Sequence, residues 1–206
     1  MLSRRVVLAG PPAVVVSGYA QAQATSPDGA AQFVMTLAQQ ALATLAQPGL
    51  SLEHREGVFR DLLRQGFDLD FIGRFVAGRY YREMTPDQQA DYQRLFGDFV
   101  LRTYAGRLGG YSGEKFAVVA ARPAGQQDVL VQSRIERPSG PPIGAEWRVR
   151  SISGAFKIID VAVEGVSMAV TQRAEFDAVL ARGGPESLLA ALRARTTKMP
   201  ATARSG

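Results

Sequence analysis

Asp160 and Glu164 are the residues whose type and spacing come closest to supporting catalysis. They lie four residues apart in a strand-like stretch, an even spacing that sends both side chains to one face. Two carboxyls held together in this way can serve as general acid and general base. The same spacing equally suits a structural salt bridge, with Arg173 just beyond as a natural partner. The single histidine, His54, stands near Glu53 and Glu56 on an expected amphipathic helix and reads as a solvated helix residue. There is no cysteine, which removes thiol nucleophiles, thiolate metal sites and disulfides together. No G-x-S-x-G elbow, H-E-x-x-H pair or P-loop occurs. Gly106, Gly109, Gly110 and Gly113 follow a helix rather than a strand, the wrong setting for a dinucleotide site. With so few possible bases, these groups read as structural. An isomerase-like enzyme of cone-shaped α+β fold, built on Asp160 and Glu164, is the alternative.

The elements that would position these residues follow from periodicity. Phe33, Val34, Leu37, Ala41 and Leu45 form one helical stripe, ended near Pro48-Gly49. A second helix is expected from Leu52 to Gln65, with Phe59, Leu62 and Leu63 inward. A third carries Leu69, Phe71, Ile72, Phe75 and Val76 behind an Asp68 N-cap. The fourth has the strongest start signal, because Thr85-Pro86-Asp87-Gln88 supplies a cap, a proline at the first helical position and the Gln of a capping box. Its apolar residues run from Tyr92 through Phe96, Phe99 and Tyr104 to Leu108, where Gly109-Gly110 stops it. Beyond Tyr111 the period changes to two. Residues 116–122, 128–137, 143–153 and 156–168 read as four antiparallel strands, with Ser153-Gly154 as the tightest turn. Helices return from Gln172 to Arg182 and, after Gly183-Gly184-Pro185, at Leu188, Leu189 and Leu192. The expected fold class is α+β: a curved antiparallel sheet of about four strands, wrapped by N- and C-terminal helices that enclose an apolar cavity.

The ends of the chain read differently. Residues 1–24 have the form of a signal peptide, with Arg4-Arg5, an apolar run interrupted by Pro11-Pro12, and small residues flanking Gln21 and Gln23. Ser3-Arg4-Arg5 also fits a twin-arginine export signal. Residues 25–195 are then one domain, and 196–206 a disordered polar tail. An exported chain with no cysteine to acylate is expected in the periplasm. The net charge is +5, or +3 once Arg4 and Arg5 leave. Lys115, Lys157 and Lys198 are the only lysines, and the scattered arginines give little support to nucleic-acid binding.

Two stretches resemble a known family. The first is Gly78-Arg79-Tyr80-Tyr81-Arg82, then Thr85-Pro86-Asp87-Gln88, Tyr92, Phe96, Phe99 and Thr103-Tyr104-Ala105. The second is Phe156-Lys157-Ile158-Ile159-Asp160-Val161, Glu164-Gly165-Val166-Ser167, then Arg173, Phe176 and Leu188-Leu189. Together they resemble the MlaC family of periplasmic phospholipid-binding proteins, also called toluene-tolerance auxiliary proteins. The hopanoid-associated HpnM branch shares the pattern. The likeness covers roughly Gln32 to Arg195. It departs modestly at Tyr81 and Phe156, where Trp is common in the family.

The resemblance implies a non-enzymatic carrier that uses no metal and no cofactor and binds a phospholipid or hopanoid. It would shuttle that lipid between an outer-membrane lipoprotein complex and an inner-membrane ABC transporter with an MCE-domain subunit; a structural adaptor for a transporter, with no ligand of its own, is the further alternative. Phe71, Phe75, Phe99, Val131, Trp147, Val149 and Val163 are the expected lipid-lining residues. Periodicity does not separate a pocket wall from a filled core, so simple packing is the competing assignment for each. Counting by twos places Val161 and Val163 on one face of their strand and Ile158 on the other. Asp160, Glu164, Ser167 and Arg173 are expected to tie the last strand to the last helices. The lipid headgroup is expected to remain largely in water.

Overall fold

A computed structural model describes residues 26–105 and 113–197. The leader expected at 1–24, the expected end of the fourth helix at Leu108 to Gly110, Tyr111, and residues 198–206 of the expected tail lie outside the described residues.

Four helices come first: α1 (Pro27–Leu45), α2 (Leu52–Gly66), α3 (Leu69–Ala77) and α4 (Pro86–Ala105), with a 3-10 helix (Gly78–Glu83) before α4. Each α-helix begins where a side chain takes up free backbone N–H groups. Ser26 accepts from Gly29 N at 3.0 Å, Ser51 from His54 N at 3.2 Å, and Asp68 from Phe71 N at 2.8 Å. Thr85 and Gln88 form the reciprocal capping box, at 2.9 and 3.3 Å.

Five antiparallel strands follow in sequence order: β1 (Lys115–Ala124), β2 (Asp128–Glu136), β3 (Ile143–Ile152), β4 (Ala155–Val163) and β5 (Val166–Ser167). The stretch read as one long fourth strand is divided. Glu164 (φ 49°) and Gly165 (φ 80°) make a tight turn, and the chain returns as β5. The last helix, α5 (Met168–Thr197), is broken at Gly183 and Gly184, where the backbone leaves helical geometry. It continues two residues past the boundary expected at Arg195.

Two register shifts bend the sheet. One leaves Val119 unpaired on β1; the other leaves Ile159 unpaired on β4, because Val149 pairs with Ile158 and Arg148 with Asp160. The second shift corrects the count by twos. It returns Ile158 to the face that carries Val161 and Val163, opposite Val149, Trp147 and Ala145.

The apolar interior is divided into two clusters. One is helical, with Val76, Tyr80, Tyr92, Leu95, Phe96, Phe99, Phe176, Leu180, Leu188 and Leu192. Tyr92 is fully buried and donates to Gly73 O at 2.8 Å; burial pushes its phenol far up from its ordinary value. The other cluster packs α1 against the sheet through Ala30, Val34, Val129, Val131, Val149 and Ile158. The α2–α3 junction is fastened beside the second cluster, where Phe67 bridges to Ile158 and Asp68 N donates to Ile158 O at 3.0 Å.

At one end of the sheet, Asp128 is held by Arg148 at 2.7 Å and Arg150 at 2.6 Å, with its own side chain 3% exposed. Burial pushes this carboxyl up, but hydrogen bonds from Arg150 and Arg148 outweigh burial and hold it below the ordinary carboxylate range. A folded value below the unfolded one, about 3.9, means that the stabilisation is present above pH ~4 and is lost as pH falls through the folded value. Urea unfolding should therefore show stability declining with acid in that window. Asp128→Asn should flatten the decline and lower stability at neutral pH by about 2 kcal/mol, a figure discounted for the half-exposed Arg148. An unchanged acid slope in the variant would assign the effect to other groups.

Candidate functional site: an apolar chamber between two cores

A chamber of about 340 Å³ lies between the two clusters. It takes Val34 from one and Val76, Phe96 and Phe99 from the other. This is within the range of roughly 300–1,000 Å³ typical of ligand pockets. The stripe Val34, Leu37, Ala38 and Ala41 supplies the α1 wall at i, i+3, i+4 and i+7. Phe59, Leu62 and Leu63 come from α2, Leu69 and Ile72 from α3, and Phe99, Val100 and Tyr104 from α4. Trp147, Val161 and Val163 form the sheet wall, and Met168, Ala169 and Gln172 the start of α5. Alanines at two of the four α1 positions leave room where a Leu or Phe would fill it.

Three polar groups on this wall have partners elsewhere. Trp147 Nε1 donates to Ser133 Oγ at 2.8 Å, and Ser133 in turn donates to Ala145 O at 3.2 Å. Gln172 Nε2 donates to Glu175 at 3.0 Å. Asp160 accepts three bonds: Oδ1 from Val161 N at 2.8 Å and Ala169 N at 3.1 Å, and Oδ2 from Ser167 Oγ at 2.6 Å. Ser167 Oγ also caps α5 by accepting from Val170 N at 3.1 Å. A surface whose polar atoms are already bonded offers an incoming ligand mainly hydrocarbon contact.

The geometry separates the expected site residues. Phe99, Trp147 and Val163 stand on the chamber wall; Phe71, Phe75, Val131 and Val149 do not. Val131 and Val149 are fully buried, because α1 covers that half of the sheet and fills the space above them. The inward stripe of α3 is Leu69, Ile72 and Val76, which leaves Phe71 and Phe75 on its flank. Their rings are covered by guanidinium groups, Arg150 over Phe71 and Arg173 over Phe75, each 5.0 Å from the ring centroid. The α1 wall and Phe59, Leu62 and Phe67 were not among the expected lining. Their signal was the apolar stripe itself, which does not say whether it faces a void.

The carboxylates do not form the pair that the spacing suggested. Glu164 lies in the turn rather than on β4 and is joined to Gly144, its carboxylate accepting from Gly144 N and its own N–H donating to Gly144 O at 3.0 Å. Arg173 makes no ion pair with either acid among the described residues. Its guanidinium packs against Gly78, whose positive φ of 59° and lack of a side chain both suit the contact. His54 is exposed. No cluster of three potential metal-binding side chains occurs among the described residues, and none of their helices is long and apolar enough to cross a membrane.

A meander of antiparallel strands, laid against helices on one face and hollow between two packed cores, defines a class of open-chambered α+β domains. Residues 35–194 match the family model described as MlaC protein, and the chain belongs to the MlaC family. The intermembrane phospholipid transport system binding protein MlaC of Haemophilus influenzae is 26% identical over 136 residues, 64% of each chain. The match thus spans just under two thirds of that relative's length. A solved phospholipid-binding protein from Ralstonia solanacearum, in complex with a phospholipid, superimposes with a TM-score of 0.71 at 29% identity. That alignment covers 82% of this chain and 97% of the other.

Proposed function

We propose that this chain is a periplasmic carrier that encloses the acyl chains of a phospholipid and moves the lipid between two membranes without altering it. The observation that carries the proposal is the chamber itself, an apolar void left between two separately packed cores. A diacyl lipid exposes roughly 30 methylenes, so at about 0.8 kcal/mol each its transfer through water costs on the order of 20 kcal/mol. A protein interior that offers hydrocarbon contact removes most of that barrier. It also permits release, since the membrane offers the same burial and the difference between the two sites stays small. The bound phospholipid of the Ralstonia relative and the name of the Haemophilus relative support the same reading.

Family membership further supports an outer-membrane lipoprotein complex as one partner and an inner-membrane ABC transporter with an MCE-domain subunit as the other. The leader at 1–24 would direct the chain to the space between them. Protein purified from its own cell envelope, extracted with solvent and analysed by mass spectrometry, should yield phospholipid in near-stoichiometric amount. A hopanoid in its place would change the cargo but keep the carrier. Protein that yields no lipid and takes up none from vesicles would refute the reading.

A further inference from the structure

The chamber is smaller than the cargo assigned to it. A cavity of about 150 Å³ accommodates one benzene, or roughly 25 Å³ for each carbon. The roughly 30 methylenes of a diacyl lipid then need on the order of 750 Å³. That is about twice the 340 Å³ present. Leaving the excess hydrocarbon in water would restore much of the cost that a carrier removes. Close-packed interiors do not swell evenly by such an amount, so loading has to displace a wall.

One wall is held differently from the rest. Packing on the sheet fixes α1 through Ala30 and Val34, and the helical core fixes α3, α4 and α5. Among the described residues, α2 is the one α-helix that contributes nothing to either core; its Phe59, Leu62 and Leu63 face the chamber instead. Its two ends also differ. The C-terminal end is pinned. Gly66 lies so close to α1 that a Cβ there would stand 2.5 Å from Leu37 Cδ2. Lys157 Nζ donates to Arg64 O at 3.2 Å and Gln65 O at 2.7 Å, and Phe67 and Asp68 are fastened to Ile158. The N-terminal end is tied to the loop before it, where Arg55 Nη2 donates to Gln47 O at 3.3 Å. In that loop Gly49 adopts a φ of 81° with open space about it.

We infer that, on the carrier reading, α2 is the door of the chamber: it pivots at Gly66, swings away at its Ser51 end and admits the acyl chains beneath it. A lever fixed at one end and resting on a void moves without unpacking either core, which is the least costly way to enlarge this cavity. The 47–51 loop takes up the change in backbone angle. Phe59 and Leu62, half-buried in the closed position, stay in contact with hydrocarbon as the chains replace the residues opposite. Once seated, the chains supply the apolar contact that neither core gives α2, so a loaded protein holds its door against cargo rather than against itself.

The test is a reversible lock. The chain has no cysteine, so Gln47→Cys/Arg55→Cys places the only two thiols at the free end of α2, where a short disulfide-containing bismaleimide can join them. Lipid-stripped full-length protein is mixed with vesicles of phosphatidylethanolamine and phosphatidylglycerol, and the initial rate of phospholipid uptake is read by mass spectrometry. The unlinked variant should load at the parent's rate. Linking should slow loading about tenfold or more, and cleaving the linker with reductant should restore it, which also shows that the locked protein was folded. Protein loaded before linking should release its lipid to empty vesicles more slowly by a similar factor. Asp91→Cys/Arg193→Cys, linked in the same way, joins α4 to α5 across an existing ion pair and should leave uptake unchanged. A locked α2 that loads at the unlinked rate would overturn the door, as would an equal loss in the α4–α5 control. A parent that takes up no phospholipid defeats the carrier reading itself.

Discussion

Ala38→Phe combined with Ala41→Phe should yield a folded protein that carries at least tenfold less lipid. Both alanines lie on the α1 stripe that faces the chamber, between Leu37 and the opposite helices. Two benzyl groups entering a void of about 340 Å³ occupy the space a hydrocarbon chain would take. Each ring gains about 2 kcal/mol from its own burial, so the fold should hold or tighten while the ligand is displaced. An effect of this size on binding without loss of stability is not expected from disruption of a filled core, where overpacking costs roughly 1–3 kcal/mol. Ala43→Phe, on the exposed face of the same helix, is the control and should leave lipid content unchanged. The readouts are lipid per protein by mass spectrometry and melting temperature by circular dichroism. Normal lipid content in the double variant would mean that the tails lie elsewhere.

Asp160→Ala should lower stability by about 3 kcal/mol. Three donors converge on this carboxylate, two of them backbone N–H groups, and its removal leaves the end of β4, the β5 hairpin and the first turn of α5 without their common acceptor. For a domain of this size the melting temperature should fall by about 6–12 °C. Asp160→Asn retains one carbonyl oxygen and should cost less. Ser167→Ala removes one of the three bonds and the α5 cap together, so its effect should fall between the two. The catalytic alternative makes the opposite prediction, with folding retained and a turnover lost. A variant at Asp160 with the parent's melting temperature would revive that alternative.

Much of the fold can be read from local chemistry. The Thr85–Gln88 box, the Asp68 cap, the Ser153-Gly154 turn and the break at Gly183-Gly184 each involve residues within a few positions of one another, and such interactions leave their mark in sequence. Where the count by twos failed on β4, the cause is the extra residue at Ile159, which no residue type announces. Gly165 was a usable sign of the β5 hairpin, yet the preceding Glu164 gave no warning that it would adopt a positive φ. The chamber was harder to locate. Whether Val131 or Val161 faces a void depends on how far α1 extends over the sheet, a tertiary fact with no local signature. Phe71 and Phe75 were expected as lining because they are large and apolar; they stand off the wall of this chamber, on the flank of α3, with Arg150 and Arg173 over their rings.

The divided interior also bears on the molecule's life between deliveries. An enclosed void of about 340 Å³ would cost up to ~8 kcal/mol, a sum comparable with the whole net stability of an ordinary domain. Opening of the chamber to solvent lowers that penalty without removing it, and a bound lipid lowers it further by mass action. On the carrier reading the unladen form is therefore the fragile one, the most readily nicked by proteases and the soonest to find a new passenger. Unloading must outpace recapture, so the station that takes the lipid has to remove it from reach as well as accept it.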